Sequence, residues 1–148
     1  MIHIALADEY QLMRDGFLQD LLDQEHINLA IQAFDGIDLL DQMAKKKVDV
    51  VILDLNLPIM NGKKTMDRIR SIYGNSVTII MIGVSNNLHF VRKYMHMGAS
   101  AYLEQSVALP ILIEAIETVH AGKLFFEPHV PEELRVDINA IHKAPGSI

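Results

Sequence analysis

Short apolar runs alternate along the chain with longer stretches in which apolar residues recur every three or four positions. The first pattern is typical of buried β-strands and the second of amphipathic helices. The strand-like runs are residues 2–7, 28–34, 48–54, 77–82 and 100–103. A helical pattern follows each run, which predicts five successive β-α units. Units of this kind fold into a parallel sheet with helices on both faces and right-handed crossovers.

The length of 148 residues suits one domain with a sizeable core. The β-α pattern stops after Gly122, and Pro128 and Pro131 then flank a possible short helix. The apolar positions of that segment are Leu134, Ile138 and Ile141. We therefore divide the chain into a domain over residues 1–124 and a C-terminal extension or linker over residues 125–148.

Charge and residue usage exclude several classes of function. With 13 basic and 19 acidic residues the net charge is −6, which argues against direct nucleic-acid binding by this chain. The absence of cysteine excludes a disulfide framework, a zinc-thiolate site and thiol catalysis. No apolar run approaches the ~18 residues of a membrane span. The N-terminus enters a strand directly, without a signal peptide, so the expectation is a bacterial-type cytoplasmic protein.

The third apolar run ends in Asp54, the most informative polar residue of the chain. Pro58 and the Asn61–Gly62 pair then predict a loop. Two further carboxylates, Asp8 and Glu9, follow the first apolar run in the same way. In a parallel sheet the carboxyl ends of the strands share one edge, and ligands bind there. We therefore expect these three carboxylates to share one cleft.

Carboxylates that share a cleft repel one another, and a hard divalent cation relieves the repulsion. Mg²⁺ prefers oxygen ligands and commonly binds one or two carboxylates together with a phosphate. This chemistry indicates phosphoryl transfer with Asp54 as the nucleophile. In the alternative interpretation, Asp8 and Glu9 only cap the following helix, where negative charge is favourable.

The order and spacing of these motifs resemble the receiver domain of two-component response regulators, from residue 2 to about residue 130. The Asp8–Glu9 pair matches the family's acidic pair, and Asp54 matches its phospho-acceptor. The loop with Leu57–Pro58 and Asn61–Gly62 follows as it does in the family. Residues 98–103 resemble the family's Gly-Ala-x-x-Tyr-Leu run.

The resemblance implies an α/β, flavodoxin-like, doubly wound fold with five parallel strands in the order 2-1-3-4-5. It also implies Mg²⁺ as the cofactor. The metal ligands would be the side chains of Asp8, Glu9 and Asp54 and the backbone carbonyl of Asn56. Tyr102 would occupy the family's aromatic switch position.

Two positions depart from the family pattern. Receivers end the fourth strand with Ser or Thr and the fifth with Lys, whereas this chain has Gly83 and Gln105 there. Ser85 would restore the hydroxyl only if the turn were shifted. Gln105 lacks the charge that strengthens a hydrogen bond to a phosphoryl group, and Gly83 has nothing to move toward that group. We therefore expect phosphorylation of Asp54 to couple weakly to Tyr102.

The resulting functional hypothesis is a regulatory domain rather than an enzyme, phosphorylated on Asp54 by a histidine kinase or a phosphotransfer protein. A flavin carrier on this fold is disfavoured, because Asp8–Gln11 would repel a phosphate after the first strand. A haloacid-dehalogenase-type phosphatase is disfavoured because Asn56 replaces its second Asp. The alternative that stays open is a phosphorylation-independent interaction module, which Gly83 and Gln105 favour.

Residues 122–128 resemble the stretch that leads, in some receivers, toward a LuxR-type helix-turn-helix domain. The expected role is therefore transcriptional regulation through an output domain outside this chain. The run Val107–Ile113 is unusually apolar, and we expect part of it to be exposed. In the family the fourth helix, fifth strand and fifth helix form a dimerisation face, so a homodimer is a possible assembly. No membrane partner is expected.

Overall fold

A computed structural model of the chain describes residues 1–8 and 17–143. Its elements, in chain order, are β1 (Ile2–Ala7), α1 (Phe17–Leu22), β2 (Ile27–Ala33), α2 (Gly36–Met43), β3 (Val50–Asp54), α3 (Gly62–Tyr73), β4 (Thr78–Gly83), α4 (Leu88–His96), β5 (Ala101–Glu104), α5 (Leu109–His120) and α6 (Glu132–Lys143). Among the described residues, no helix is long and apolar enough to cross a membrane.

The five strands form one sheet in the order β2-β1-β3-β4-β5, and every neighbouring pair is parallel. The predicted strand order is therefore confirmed. β3 lies in the middle, and all of its residues are buried. A strand that is covered on both faces needs a continuous apolar sequence, which residues 50–53 supply.

Helices cover both faces of the sheet, as predicted. One core contains apolar side chains of α2, α3 and α4. The other core contains side chains of α1 and α5. Their central residues are Leu39, Met66 and Val91 in the first core and Leu21, Leu112 and Ile116 in the second.

The apolar run before and at the start of α5 is exposed in part, as expected, although less of it than a partner surface would need. In the run Val107–Ile113, only Ala108 and Pro110 are exposed. The half-buried side chains Leu109, Ile111 and Ile113 pack against the core with α1. Most of this run is therefore core packing.

The predicted short C-terminal helix is present as α6, which packs against α4. Leu134 and Ile138 are buried in the core on that side, together with Val130. Ile141, the third apolar position of the predicted helix, is 36% exposed. The division at residue 124 stays a prediction, although side chains beyond it join the cores.

Arg70, near the end of α3, binds the amino-terminal side of the sheet. Its guanidinium donates hydrogen bonds to the carbonyls of Gly74, Val77 and Gly98 at 2.8, 2.6 and 2.7 Å. Burial lowers the pKa of Arg70 to about 10, so the group is charged at neutral pH. Arg70 therefore ties α3 to the segments that lead into β4 and β5.

A cavity of about 520 Å³ lies beside Arg70, at the edge of the sheet opposite Asp54. Lys123, His142 and Lys143 also line it, near the last turns of α5 and α6. Cations are favourable at the carbonyl end of a helix because the helix dipole is negative there. The basic lining therefore complements the helix ends that converge on the cavity.

We predict that Arg70→Met lowers the free energy of unfolding by about 2–3 kcal/mol, because charged hydrogen bonds to three backbone carbonyls, two of them partly buried, are lost. Urea unfolding followed by circular dichroism measures the change. Arg68→Met is the matched control, since Arg68 is exposed on the same helix. Equal losses of stability in the two variants would contradict the role assigned to Arg70.

Candidate functional site

Asp54 is the last residue of β3, at the centre of the sheet's carboxyl edge. Leu53 pairs with Ala7 of β1, and Asp54 itself pairs with Ile82 of β4. Only 6% of Asp54 is exposed. Its Oδ1 accepts a hydrogen bond of 2.9 Å from the backbone N–H of Asn56. The carboxylate is therefore oriented by the loop that follows its own strand.

Asp8 directly follows β1 and is 2% exposed. Because Ala7 and Leu53 are partners in the sheet, Asp8 and Asp54 both follow this pair at adjacent strand ends. The predicted approach of these two carboxylates is thus supported by the register. Glu9 lies outside the described residues, and so does the predicted capping of the helix start by Asp8 and Glu9.

The loop after Asp54 depends on the Asn61–Gly62 pair. The Asn61 side chain caps α3 by accepting a hydrogen bond of 2.9 Å from the Lys64 N–H. A Cβ on Gly62 would overlap the Asp54 carbonyl oxygen and lie 2.6 Å from the Leu55 Cα. Glycine at 62 therefore allows α3 to begin directly against the end of β3.

Ile59 in this loop has a positive φ of 69° and is 78% exposed. A β-branched residue rarely adopts that conformation. The tight return of the chain toward α3 thus includes a strained residue.

The two positions that depart from the family pattern are neighbours. Gly83 ends β4 and pairs with Glu104, and the Gln105 N–H donates a hydrogen bond of 2.8 Å to the Gly83 carbonyl. Because Gly83 follows Ile82, the partner of Asp54, both positions lie on the carboxyl edge. Ser85 lies beyond the strand, so Gly83 occupies the position predicted for it.

Ser85 has other contacts. Its hydroxyl accepts a hydrogen bond of 3.1 Å from the Asn87 N–H, and its carbonyl accepts one of 2.7 Å from the Tyr102 hydroxyl. The shifted turn that would bring this hydroxyl to the end of β4 is therefore not observed.

Tyr102, on β5, is almost fully buried, with 2% of its surface exposed. Its ring stacks on Tyr94 of α4, with the centroids 5.7 Å apart and the planes 10° apart. Its hydroxyl lies against Gly83, where a Cβ would overlap it. Burial raises the pKa of Tyr102 to about 12, and electrostatic repulsion from Tyr94, when that phenol is ionised, and from Glu104 and Glu127 adds to the shift.

Sequence reasoning missed two residues beside this site, Glu127 and His129. Glu127 Oε2 accepts a hydrogen bond of 3.2 Å from the Glu104 N–H, and burial raises the pKa of the Glu127 carboxyl. His129 Nε2 lies 2.7 Å from the Asn86 carbonyl oxygen. In the sequence, the feature that could have indicated them is that Glu127 and His129 are polar residues between the apolar Phe126 and Val130.

The site offers buried carboxylate oxygens and backbone groups at one strand edge, a donor set suited to a hard cation such as Mg²⁺ and not to a soft one. Within residues 1–8 and 17–143, no group of three or more His, Cys, Asp or Glu is placed to hold a metal. The predicted set of ligands includes Glu9 and therefore extends outside that part of the chain. A buried, oriented carboxylate is also suited to nucleophilic attack.

Comparison with curated proteins gives related sequences, and those named here are longer than this chain. The response regulator GacA of Pseudomonas aeruginosa is 28% identical over 135 residues, which are 90% of this chain and 62% of GacA. The transcriptional regulatory protein DegU of Brevibacillus brevis is 26% identical over 133 residues. That match covers 90% of this chain and 56% of DegU. The chain therefore spans about three fifths of the length of these relatives.

Solved structures with the same fold include a LuxR-family two-component response regulator from Aurantimonas, with a TM-score of 0.75 and 23% identity. The match covers 93% of this chain and 95% of that one. The isolated receiver domain of RcsB from Salmonella enterica, solved with the phosphomimetic BeF₃⁻, has a TM-score of 0.74 and 21% identity. It covers 91% of this chain and 96% of the RcsB domain.

The family model described as the response regulator receiver domain matches residues 4–117. The match begins within β1, includes the other four strands and ends within α5. The match contains Asp8, Asp54, Gly83, Tyr102 and Gln105. Together with the sheet order, it establishes that this chain belongs to the response regulator receiver domain family.

Proposed function

We propose that this receiver domain accepts a phosphoryl group on Asp54 from the phosphohistidine of a partner histidine kinase or phosphotransfer protein. The observation that carries the proposal is the burial of Asp54 and Asp8 after paired residues of adjacent strands. Two buried carboxylates in that arrangement repel each other, which is unfavourable in a site that serves only the fold. A phospho-acceptor site that binds a cation would account for the two charges.

In the proposed transfer, a carboxylate oxygen of Asp54 attacks the phosphorus atom of the donor. The new bond is an acyl phosphate, the bond from phosphorus to the histidine nitrogen breaks, and the imidazole leaves with its electron pair and takes up a proton from solvent. The Asn56 N–H holds the carboxylate in place through Oδ1. The fixed loop thereby reduces the entropy that must be lost on the way to the transition state.

The donor set fits Mg²⁺, with the side chains of Asp8, Glu9 and Asp54 and the backbone carbonyl of Asn56 as the proposed ligands. When bound, the ion would neutralise charge on the transferring phosphoryl group. Gln105, in the position of the family's lysine, adds a neutral donor at most. Mg²⁺, held by the carboxylates, is therefore the only strong positive partner that we propose for the phosphoryl group.

We also propose that the phosphorylated domain regulates transcription in the bacterial cytoplasm through an output domain that follows residues 125–148. The relatives support this part of the proposal, because DegU is described as a transcriptional regulatory protein. Dimerisation through α4, β5 and α5 is a further proposal. The phosphorylation-independent alternative has no support from the family match.

We predict that incubation with acetyl phosphate and Mg²⁺ adds one phosphoryl group to the chain, as measured by intact mass. Asp54→Asn abolishes the adduct because an amide is not nucleophilic enough to form it. Asp67→Asn, at an exposed position of α3, is the matched control and retains it. An adduct of equal yield in Asp54→Asn would exclude this assignment, and no adduct in the native chain would favour the alternative.

We predict that beryllofluoride with Mg²⁺ shifts the amide resonances around Tyr102 less in this chain than in the variant Gln105→Lys. The variant restores the charge that can contact the bound group and adds no Cβ against the Tyr102 hydroxyl, so its two states differ more in their contacts. Two-dimensional NMR of both proteins measures the shifts. Equal shifts at saturating beryllofluoride would refute weak coupling without affecting the assignment of Asp54.

A further inference from the structure

The chain after α5 returns along β5, the last strand of the sheet. The Phe125 N–H donates a hydrogen bond of 3.0 Å to the Ser100 carbonyl. Two residues later, the Glu127 carboxylate accepts the Glu104 N–H at the other end of the strand. An edge strand leaves such groups unpaired, so this segment satisfies part of the open edge of β5.

The same segment binds the loop between β4 and α4. This loop, residues 84–87, presents the carbonyls of Ser85 and Asn86 in succession. Tyr102 donates to the Ser85 carbonyl from the sheet side. His129 Nε2 lies 2.7 Å from the Asn86 carbonyl, and since a carbonyl can only accept, the imidazole is the donor. Two adjacent peptide groups of the loop are therefore held from two directions.

α6 attaches this segment to α4. Leu134 and Ile138 are 6% and 0% exposed, and His142 Nε2 lies 2.7 Å from the Met95 carbonyl oxygen. The ion pair between Arg92 and Asp137 spans 3.9 Å between exposed side chains, where such pairs contribute little. The docking of α6 therefore rests on buried apolar area and on the histidine.

The position of Tyr102 completes this arrangement. The Tyr102 ring is stacked on Tyr94 of α4, and Tyr94 shares its core with Leu134 and Ile138. The hydroxyl of Tyr102 reaches the Ser85 carbonyl across the space left by Gly83. The loop, the Tyr102 ring and α6 thus share one continuous set of contacts on the α4 side of the sheet.

We propose that residues 127–143 are a conformational clamp, which holds loop 84–87 and Tyr102 in the observed arrangement. Lifting α6 from α4 then frees the loop. Coupling between two sites is reciprocal, so displacing Tyr102 from its position weakens the docking of α6. A binding partner or a following domain that pulls on α6 acts, by this route, on the strand edge that carries Asp54.

The decisive variant is Leu134→Asp in the full chain, because a carboxylate at this buried position opposes the docking of α6. We predict that hydrogen exchange, measured by mass spectrometry, accelerates on the order of tenfold or more in α6 and also in loop 84–87. The matched control is Val136→Asp, since Val136 is 56% exposed on the same helix. The control retains the native exchange rates in both segments. Faster exchange in α6 alone, with the loop unchanged, would overturn the clamp.

A second variant keeps the test valid if Leu134→Asp fails to fold. His129→Ala removes the donor to the Asn86 carbonyl and a charge near Glu127 from an exposed residue, and no core side chain is altered, so the fold is retained. We expect faster exchange in loop 84–87 than in the control His96→Ala, which removes an exposed histidine of α4. Identical loop exchange in these two variants would show that the segment does not restrain the loop.

Gly83→Ala tests the reverse direction, because the added Cβ displaces the Tyr102 hydroxyl. Reciprocity predicts faster exchange in α6 although the substitution lies on β4. Native protection of α6 together with a displaced Tyr102 resonance would overturn the coupling. None of these measurements uses phosphate, so their failure is distinct from a failure of Asp54 to be phosphorylated.

Tyr102 also gives a spectroscopic prediction. Its folded-state pKa of about 12 exceeds the ordinary value of 10.0, so the unfolded state loses this proton first as the pH rises. The stabilisation is complete below pH 10 and is lost as the pH approaches 12. We predict a late phenol component in an ultraviolet titration of the folded chain, absent in Tyr102→Phe and present in Tyr73→Phe. A titration unchanged by Tyr102→Phe would contradict the buried position.

Discussion

The pairing of β3 with β1 on one side and β4 on the other is the constraint on which the site depends. Leu53 pairs with Ala7, and Asp54 pairs with Ile82. A shift of one residue in either register would turn every side chain of β3 to the opposite face. Because both faces of β3 are buried in apolar cores, such a shift would move Asp54 into a core or out of the cleft. The register that buries both faces of β3 is therefore also the register that places Asp54 at the site.

Two glycines then set what surrounds Asp54, and both act by leaving space for other groups. At Gly62 the space lets the first turn of α3 approach the backbone of β3, which fixes the loop behind the carboxylate. At Gly83 the space is filled by the hydroxyl of a tyrosine from the neighbouring strand. The first contact is between backbone atoms, so it is rigid. The contact at Gly83 is with the end of the Tyr102 side chain, which can rotate. A change of conformation therefore costs less free energy at Gly83 than at Gly62.

The periodicity of the sequence was sufficient to predict the strands, the helices and α6, because burial on the faces of a sheet imposes those periods. The resemblance supplied the strand order and the neighbouring positions of Gly83 and Gln105. The sequence could not predict the contacts of Glu127 and His129, because these polar residues find their partners only after α6 has docked on α4.

The position of Tyr102 limits what phosphorylation can do in the proposed scheme. A ligand shifts an equilibrium only through contacts that differ between the two states. The bond from Tyr102 to the Ser85 carbonyl and the stacking on Tyr94 hold the Tyr102 ring in one position, so any movement of the ring costs both contacts. Gly83 and Gln105 offer no strong new contact. The remaining way to move the loop is to remove contacts that hold it, and one of them, from His129 to the Asn86 carbonyl, comes from the clamp at residues 127–143. If residues 127–143 act as the proposed clamp, an input that acts on α6 therefore moves loop 84–87 more than one that acts at Asp54.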